Sequence, residues 1–212
     1  MDGLATTTRE RILQSGLNLV SGVGLSGVTL GVLASEIGLS KSGLFAHFKS
    51  REALQIALLR QMAKTANAVV VAPIMRRPAG LTRLIALVEN WLGWTVRAGL
   101  SGGCPVAAAL FELDDVDGQV RAEVLLMERR WRRLLGQLVG EAILAGDLNA
   151  DVDPDQFVWE LCGLYLSHHV SLRFLKDPQA DEWASRAFDA LLRRSGATVS
   201  AGSPTISSKS LD

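Results

Sequence analysis

Apolar residues recur along this chain at the three-to-four spacing of helical faces, and glycine, proline or a capping residue breaks each run. Leu13, Gly16, Leu17 and Val20 form the first face, preceded by Thr7-Thr8-Arg9-Glu10 with the spacing of a capping box. Gly22, Gly24 and Gly27 interrupt the pattern. Thr29 then predicts the N-cap of a short helix whose Leu30, Leu33, Ala34 and Ile37 share one side. Gly38 stands where that helix should stop in a left-handed conformation. Ser40 caps the next helix, with Leu39 and Leu44 spaced for a hydrophobic staple. Ser50 caps a longer helix reaching about Ala72, with Glu52 at its positive end; Pro73 and the Arg-Arg-Pro-Ala-Gly segment end it.

The remainder also reads as helix. Leu81, Leu84, Ile85, Val88 and Leu92 form one stripe, and Leu87, Trp91, Trp94 and Ala98 a second, which predicts one helix buried on two sides. A glycine-rich Ser-Gly-Gly loop leads to a short apolar helix from Pro105. A long helix is predicted from about Val120 to Ala145, with Trp131 turned inward and the arginines around it solvated. Asp153 as N-cap, Pro154 at the first position and Gln156 reaching back predict the start of another helix. Asp177-Pro178 ends it, and Trp183, Ala187, Phe188, Leu191 and Leu192 mark one more. The expected fold class is all-α.

Composition narrows the function classes without choosing one. The 212 residues are 48% hydrophobic, enough for a sizeable core, and carry 22 basic and 22 acidic side chains. Two cysteines make neither a disulfide framework nor a metal cluster. The N-terminal segment reads as no signal peptide and no apolar run is long enough to span a membrane, so a cytoplasmic protein without a membrane partner is expected.

Residues 29–48, two short helices joined by a glycine turn, have the layout of a helix-turn-helix, whose second helix enters the major groove of DNA. Leu44 and Phe48 share an anchoring face, while Lys41, Ser42 and Gly43 occupy the exposed first turn. Lys41 can reach a phosphate or a guanine edge, Ser42 can bond to either kind of group, and Gly43 lets the backbone come near. His47, Lys49 and Arg51 are placed for flanking phosphates. Over residues 1–52, five basic residues face four acidic ones, so placement matters here and not net charge.

These segments, from TTRERIL through VTLGVLASEIGLSKSGLFAHF to KSREAL, resemble the DNA-binding domain of the TetR/AcrR family of transcriptional regulators. The resemblance implies a helix-turn-helix domain over residues 1–54 and a helical effector-binding and dimerisation domain over 55–194; the tail over 195–212 is serine-rich with little to bury and is expected to be disordered. The resemblance assigns Thr29, Lys41, Ser42, Gly43, Phe45, His47 and Arg51 to DNA. Phe45 stands where the family usually has tyrosine; the lost hydroxyl removes one hydrogen bond, worth about 1 kcal/mol, and leaves the aromatic packing. It further implies a homodimer paired through its last two helices, an inverted-repeat operator in double-stranded DNA, and a small-molecule effector that releases a repressor.

Trp94, Phe111, Met127, Trp131, Tyr165 and His169 are candidate ligand-binding residues, bulky and drawn from several predicted helices; with so little charge they suit a largely apolar ligand. No cofactor and no catalytic residue is expected: there is no nucleophile elbow or phosphate-binding glycine loop. No metal site is expected either. Asp151, Asp153 and Asp155 alternate like calcium ligands, but Gln156 and Cys162 stand where that loop needs glycine and glutamate. His168 and His169, adjacent on a helix, point about 100° apart and cannot share one metal. The rival readings are a helical protein-interaction module without DNA, and a redox regulator working through Cys104 if that thiol is exposed.

Overall fold

The computed structural model describes residues 7–198. Among them the chain forms α1 (Thr8–Val23), α2 (Leu30–Glu36), α3 (Lys41–His47), α4 (Arg51–Ala66), α5 (Ala72–Ile74), α6 (Leu81–Trp91), α7 (Trp94–Arg97), α8 (Pro105–Glu112), α9 (Gln119–Leu144), α10 (Pro154–Val170) and α11 (Ala180–Arg194), with no strand among the described residues. Two single π-helical stretches, Asn67–Val71 and Ser171–Leu175, follow α4 and α10. The helices sort into two compact units: residues 7–65 with 99–127, and residues 66–98 with 128–198.

In the first unit the capping signals form as their chemistry requires. Thr7 accepts from the Glu10 amide at 3.2 Å, and the Glu10 carboxylate accepts from the Thr7 amide at 2.8 Å. That main-chain hydrogen bond, with a second from the Thr7 hydroxyl, holds the Glu10 carboxyl below its usual range. Thr29 caps α2, Ser40 caps α3, and Ser50 accepts from the Ala53 amide at the start of α4. Gly38 has φ +69°, the left-handed turn between α2 and α3.

The core of this unit is largely aliphatic: Ile12, Leu13, Val20, Leu33, Leu44, Leu54, Leu58 and Leu59 are buried, together with the ring of Phe48. Ala109 from α8 and Val120 and Val124 from α9 complete the same core. Sequence order alone gives no sign of this. Residues 101–103 also dock on α1: Gly103 N–H donates to the Ser21 carbonyl at 2.8 Å, and Ser101 N–H to Asn18 at 2.9 Å. A methyl group on Gly102 would sit 1.8 Å from the Ser21 oxygen, so only glycine fits.

The second unit departs from three expectations. The helix of Arg51 onward does continue toward Ala72, but through a π-helical stretch whose Val70 carbonyl accepts from Asn90. The predicted double-striped helix is two, α6 and α7: Leu92 is extended and Gly93 left-handed at φ +77°. Arg97 folds back to donate to the carbonyls of Glu89, Asn90 and Leu92, which otherwise end α6 unpaired. Asp153 does cap α10, whereas Gln156 bonds forward to Glu160 at 3.1 Å and not back to the cap. The α11 terminus is closed through residue 198 by Ala197 N–H to the Leu192 carbonyl; the rest of the expected tail lies outside the described residues.

Candidate nucleic-acid interface

The short helix α3 owes its pose to Leu44 and Phe48. Both are buried, and Arg9 from α1 lies over the Phe48 ring at 5.0 Å. With that face fixed, the opposite face turns to solvent. Thr29, Lys41, Ser42, Phe45 and Arg51 line one open groove of about 610 Å³ between α2 and α3, joined by Leu30 and Gly31. Five of the seven residues assigned to DNA thus come together. Gly43 and His47 do not line the groove: Gly43 donates to the Ser40 cap, and His47 is exposed at the end of α3, tilted against Phe48.

Each groove residue is held differently. Thr29 keeps its hydroxyl on the Val32 amide at 3.2 Å. The Lys41 side chain crosses α2 at Gly31, where an added methyl would meet its Cε at 2.7 Å. Gly31 carries no local signal for this, and its role as the floor under Lys41 is a tertiary fact. Phe45 is 52% exposed, so its ring is open to a partner. The Arg51 guanidinium donates to the Ser26 carbonyl in the turn before α2.

The six ligand candidates divide. Trp94, Trp131, Tyr165 and His169 gather in the second unit around Trp91, a stripe residue that is not among the six candidates. Trp91 stacks on Tyr165 with ring centroids 4.3 Å apart and 6° between planes, and meets Trp131 edge-on at 4.9 Å. The Trp94 indole donates to the Tyr165 hydroxyl at 3.1 Å. His169 lies 6.4 Å from Tyr165, its pKa lowered by burial and by the charges of Arg173 and His168. The Trp131 indole N–H is buried without a partner. Phe111 and Met127 leave this set: both belong to the first unit, Phe111 two-thirds exposed on α8 and Met127 packed on the aliphatic core. The bulk that made them candidates does not say which core a helix joins.

The polar candidates have structural uses. Cys104 is buried, and its sulfur caps α8 by accepting from the Ala107 amide at 3.5 Å, so the condition of exposure for a redox role is not met. Cys162 is buried too, its thiol pushed up to about 11 by desolvation. His168 is buried with Nε2 2.8 Å from Asp181, while His169 faces the aromatic rings. Among the described residues no group of three or more His, Cys, Asp or Glu is placed to hold a metal.

Comparison with known proteins settles the class. Residues 12–58 match the model of bacterial regulatory proteins of the tetR family, and residues 80–188, over half the chain, match that of the tetracyclin repressor-like C-terminal domain. The chain belongs to the TetR family of transcriptional regulators. As such it is a DNA-binding factor and not an enzyme. The nucleoid occlusion factor SlmA of Cronobacter sakazakii is 28% identical over 184 residues, covering 82% of this regulator and 88% of SlmA. A TetR transcriptional regulator from Chloroflexus aurantiacus has the same fold at 24% identity, with a TM-score of 0.76 over 88% of this chain and 92% of that one. So does AibR, solved with isovaleryl coenzyme A and operator DNA, at 19% identity and a TM-score of 0.67 over 88% of this regulator and 96% of AibR. Among the described residues no helix is long and apolar enough to cross a membrane.

Proposed function

We propose that this regulator is a cytoplasmic repressor that binds an inverted-repeat operator as a homodimer and leaves it when a small, largely apolar ligand enters the second unit. The observation that carries the reading is the groove: Thr29, Lys41, Ser42, Phe45 and Arg51 share one open surface on the helices of a helix-turn-helix. Lys41 and Ser42 read base edges or phosphate, Arg51 and His47 meet the flanking backbone, and Phe45 lays its ring on sugar or a thymine methyl.

A second copy fits the exposed apolar surface of α10 and the π-helical stretch after it. Trp159, Val170 and Phe174 are 66%, 48% and 83% exposed, and Gly163 beside them has nothing within 4 Å of a would-be methyl. Two copies would set two α3 helices against successive major grooves. The aromatic cluster of Trp91, Trp94, Trp131, Tyr165 and His169 supports an apolar ligand carrying a hydrogen-bond acceptor, for which the Trp131 N–H is the unpaired donor. That AibR was solved with an acyl thioester of coenzyme A and operator DNA supports the pairing of ligand and operator on this fold. Coupling runs along α4 and its π-helical continuation, the chain that leads out of the helix-turn-helix.

Selection of the purified protein on random duplex DNA tests the proposal. Enrichment of an inverted repeat, bound by dimers with a steep loss of affinity as salt rises, is the expected result. No enrichment from ligand-stripped, refolded protein would overturn it.

A further inference from the structure

The turn between α1 and α2 exposes four main-chain groups that neither helix can satisfy, and all four are taken by side chains from elsewhere in the first unit. The Leu25 amide donates to Glu112 Oε1 at 3.0 Å and the Ser26 amide to Glu112 Oε2 at 2.6 Å. From the opposite direction, buried Gln55 donates to the Leu25 carbonyl at 2.9 Å, and Arg51 donates to the Ser26 carbonyl. Gly24, at φ +76°, leaves room for the carboxylate: a methyl there would lie 2.2 Å from Glu112 Oε1. Glu112 ends α8, and Leu113 after it packs against the same core.

We infer that Glu112 is a positioning residue for DNA binding: it clamps the α1–α2 turn and thereby fixes the Ser26 carbonyl that holds Arg51 and the Thr29 end of α2. Glu112 lies outside residues 12–58, the span matched by the DNA-binding family model. The reading head is therefore incomplete without α8. A bidentate carboxylate facing two adjacent amides restrains both position and direction of the turn, which a single hydrogen bond does not. Removing it leaves two amides to water and lets Ser26 rotate, so Arg51 loses its anchor before any contact to DNA is altered.

The inference rests on the proposed function in that operator affinity is its main readout. Glu112→Ala and Glu112→Gln are made in the full chain, alone and with Arg51→Ala. Glu112→Ala is expected to weaken operator binding about tenfold, with a smaller loss on random DNA, and Glu112→Gln to fall between, since its amide keeps one acceptor and turns a donor toward the other N–H. If Glu112 acts through Arg51, the double variant loses no more than the larger single loss; additive losses would overturn the assignment. Should Glu112→Ala fail to fold, the near-isosteric Glu112→Gln decides, and wild-type affinity in that variant overturns the clamp. Amide exchange at Leu25 and Ser26 gives a readout without DNA: faster exchange in the folded variants is expected, and unchanged exchange counts against the inference. If the wild-type chain binds no operator while these amides respond to Glu112, the proposed function fails and the clamp stands.

Discussion

The two units bury their helices with different materials. The first unit packs leucine, isoleucine and valine, and its turns are tied by side chain to main chain hydrogen bonds at Thr7, Thr29, Ser40, Ser50, Gln55 and Glu112. The second unit places Trp91, Trp94, Trp131 and Tyr165 in one cluster and leaves the Trp131 N–H and Asp189 Oδ1 buried without partners. Capped and clamped helices hold a groove in one geometry, which is what recognition of a fixed ligand such as a duplex needs. Large rings around an unpaired donor make a core that retains an unsatisfied polar group, which costs stability until something pairs with it. The difference between a rigid surface and an incompletely satisfied interior is the physical content of the proposed division of labour.

Five perturbations break or sharpen that contrast. The largest effect is expected at the rigid unit's tightest approach: Gly102→Ala drives a methyl into the Ser21 carbonyl and should destabilise the protein by about 2–3 kcal/mol. Denaturant melting checks it; wild-type stability would mean that the 101–103 strap does not dock on α1. Next, Lys41→Ala with His47→Ala should lower operator affinity by about tenfold or more and shallow the salt dependence, with melting unchanged within about 0.5 kcal/mol. A variant that melts early would shift these side chains from reading DNA to holding the fold.

The remaining three address the aromatic unit. Trp131→Phe deletes the unpaired donor, and that gain offsets part of the lost ring, so the net change should stay within about 1 kcal/mol. Trp91→Leu, which removes the stack on Tyr165, should cost about 1–3 kcal/mol more. Equal losses would mean that the Trp131 N–H has a partner. The smallest effect concerns pH. His169 has its folded pKa lowered, so its neutral form contributes stability that is present above the unfolded value, near 6.5, and lost as pH falls through the folded one. His169→Gln should flatten this part of the stability profile below pH of about 6.5; an unchanged acid slope would assign it to other groups.

Local signals made most of the first unit legible. Thr7, Thr29, Ser40 and Ser50 each cap the helix that they precede in sequence, because a cap is made with amides two or three residues away. Leu44 and Phe48 were legible as anchors because a short helix has one apolar face. The candidate site followed from these, together with the family motif: once the buried face of α3 is fixed, its exposed face is fixed too. The second unit was less legible. A stripe with apolar residues on two sides reads as one helix from Leu81 to Ala98, since nothing in spacing announces that Gly93 will turn left-handed and that Arg97 will cap the broken end.

Sequence by itself therefore determined the helices of the first unit, their caps, the turn at Gly38 and the polar face of α3, all set by interactions within a few residues. Only the tertiary structure decided that α8 and the start of α9, up to Met127, belong to the first unit, that Phe111 and Met127 part from the other ligand candidates, and that Glu112 holds a turn 86 residues earlier in the chain. Apolar periodicity records that a face is buried but not against what. A carboxylate on a helix end looks solvated until the amides that it faces are brought to it by the fold.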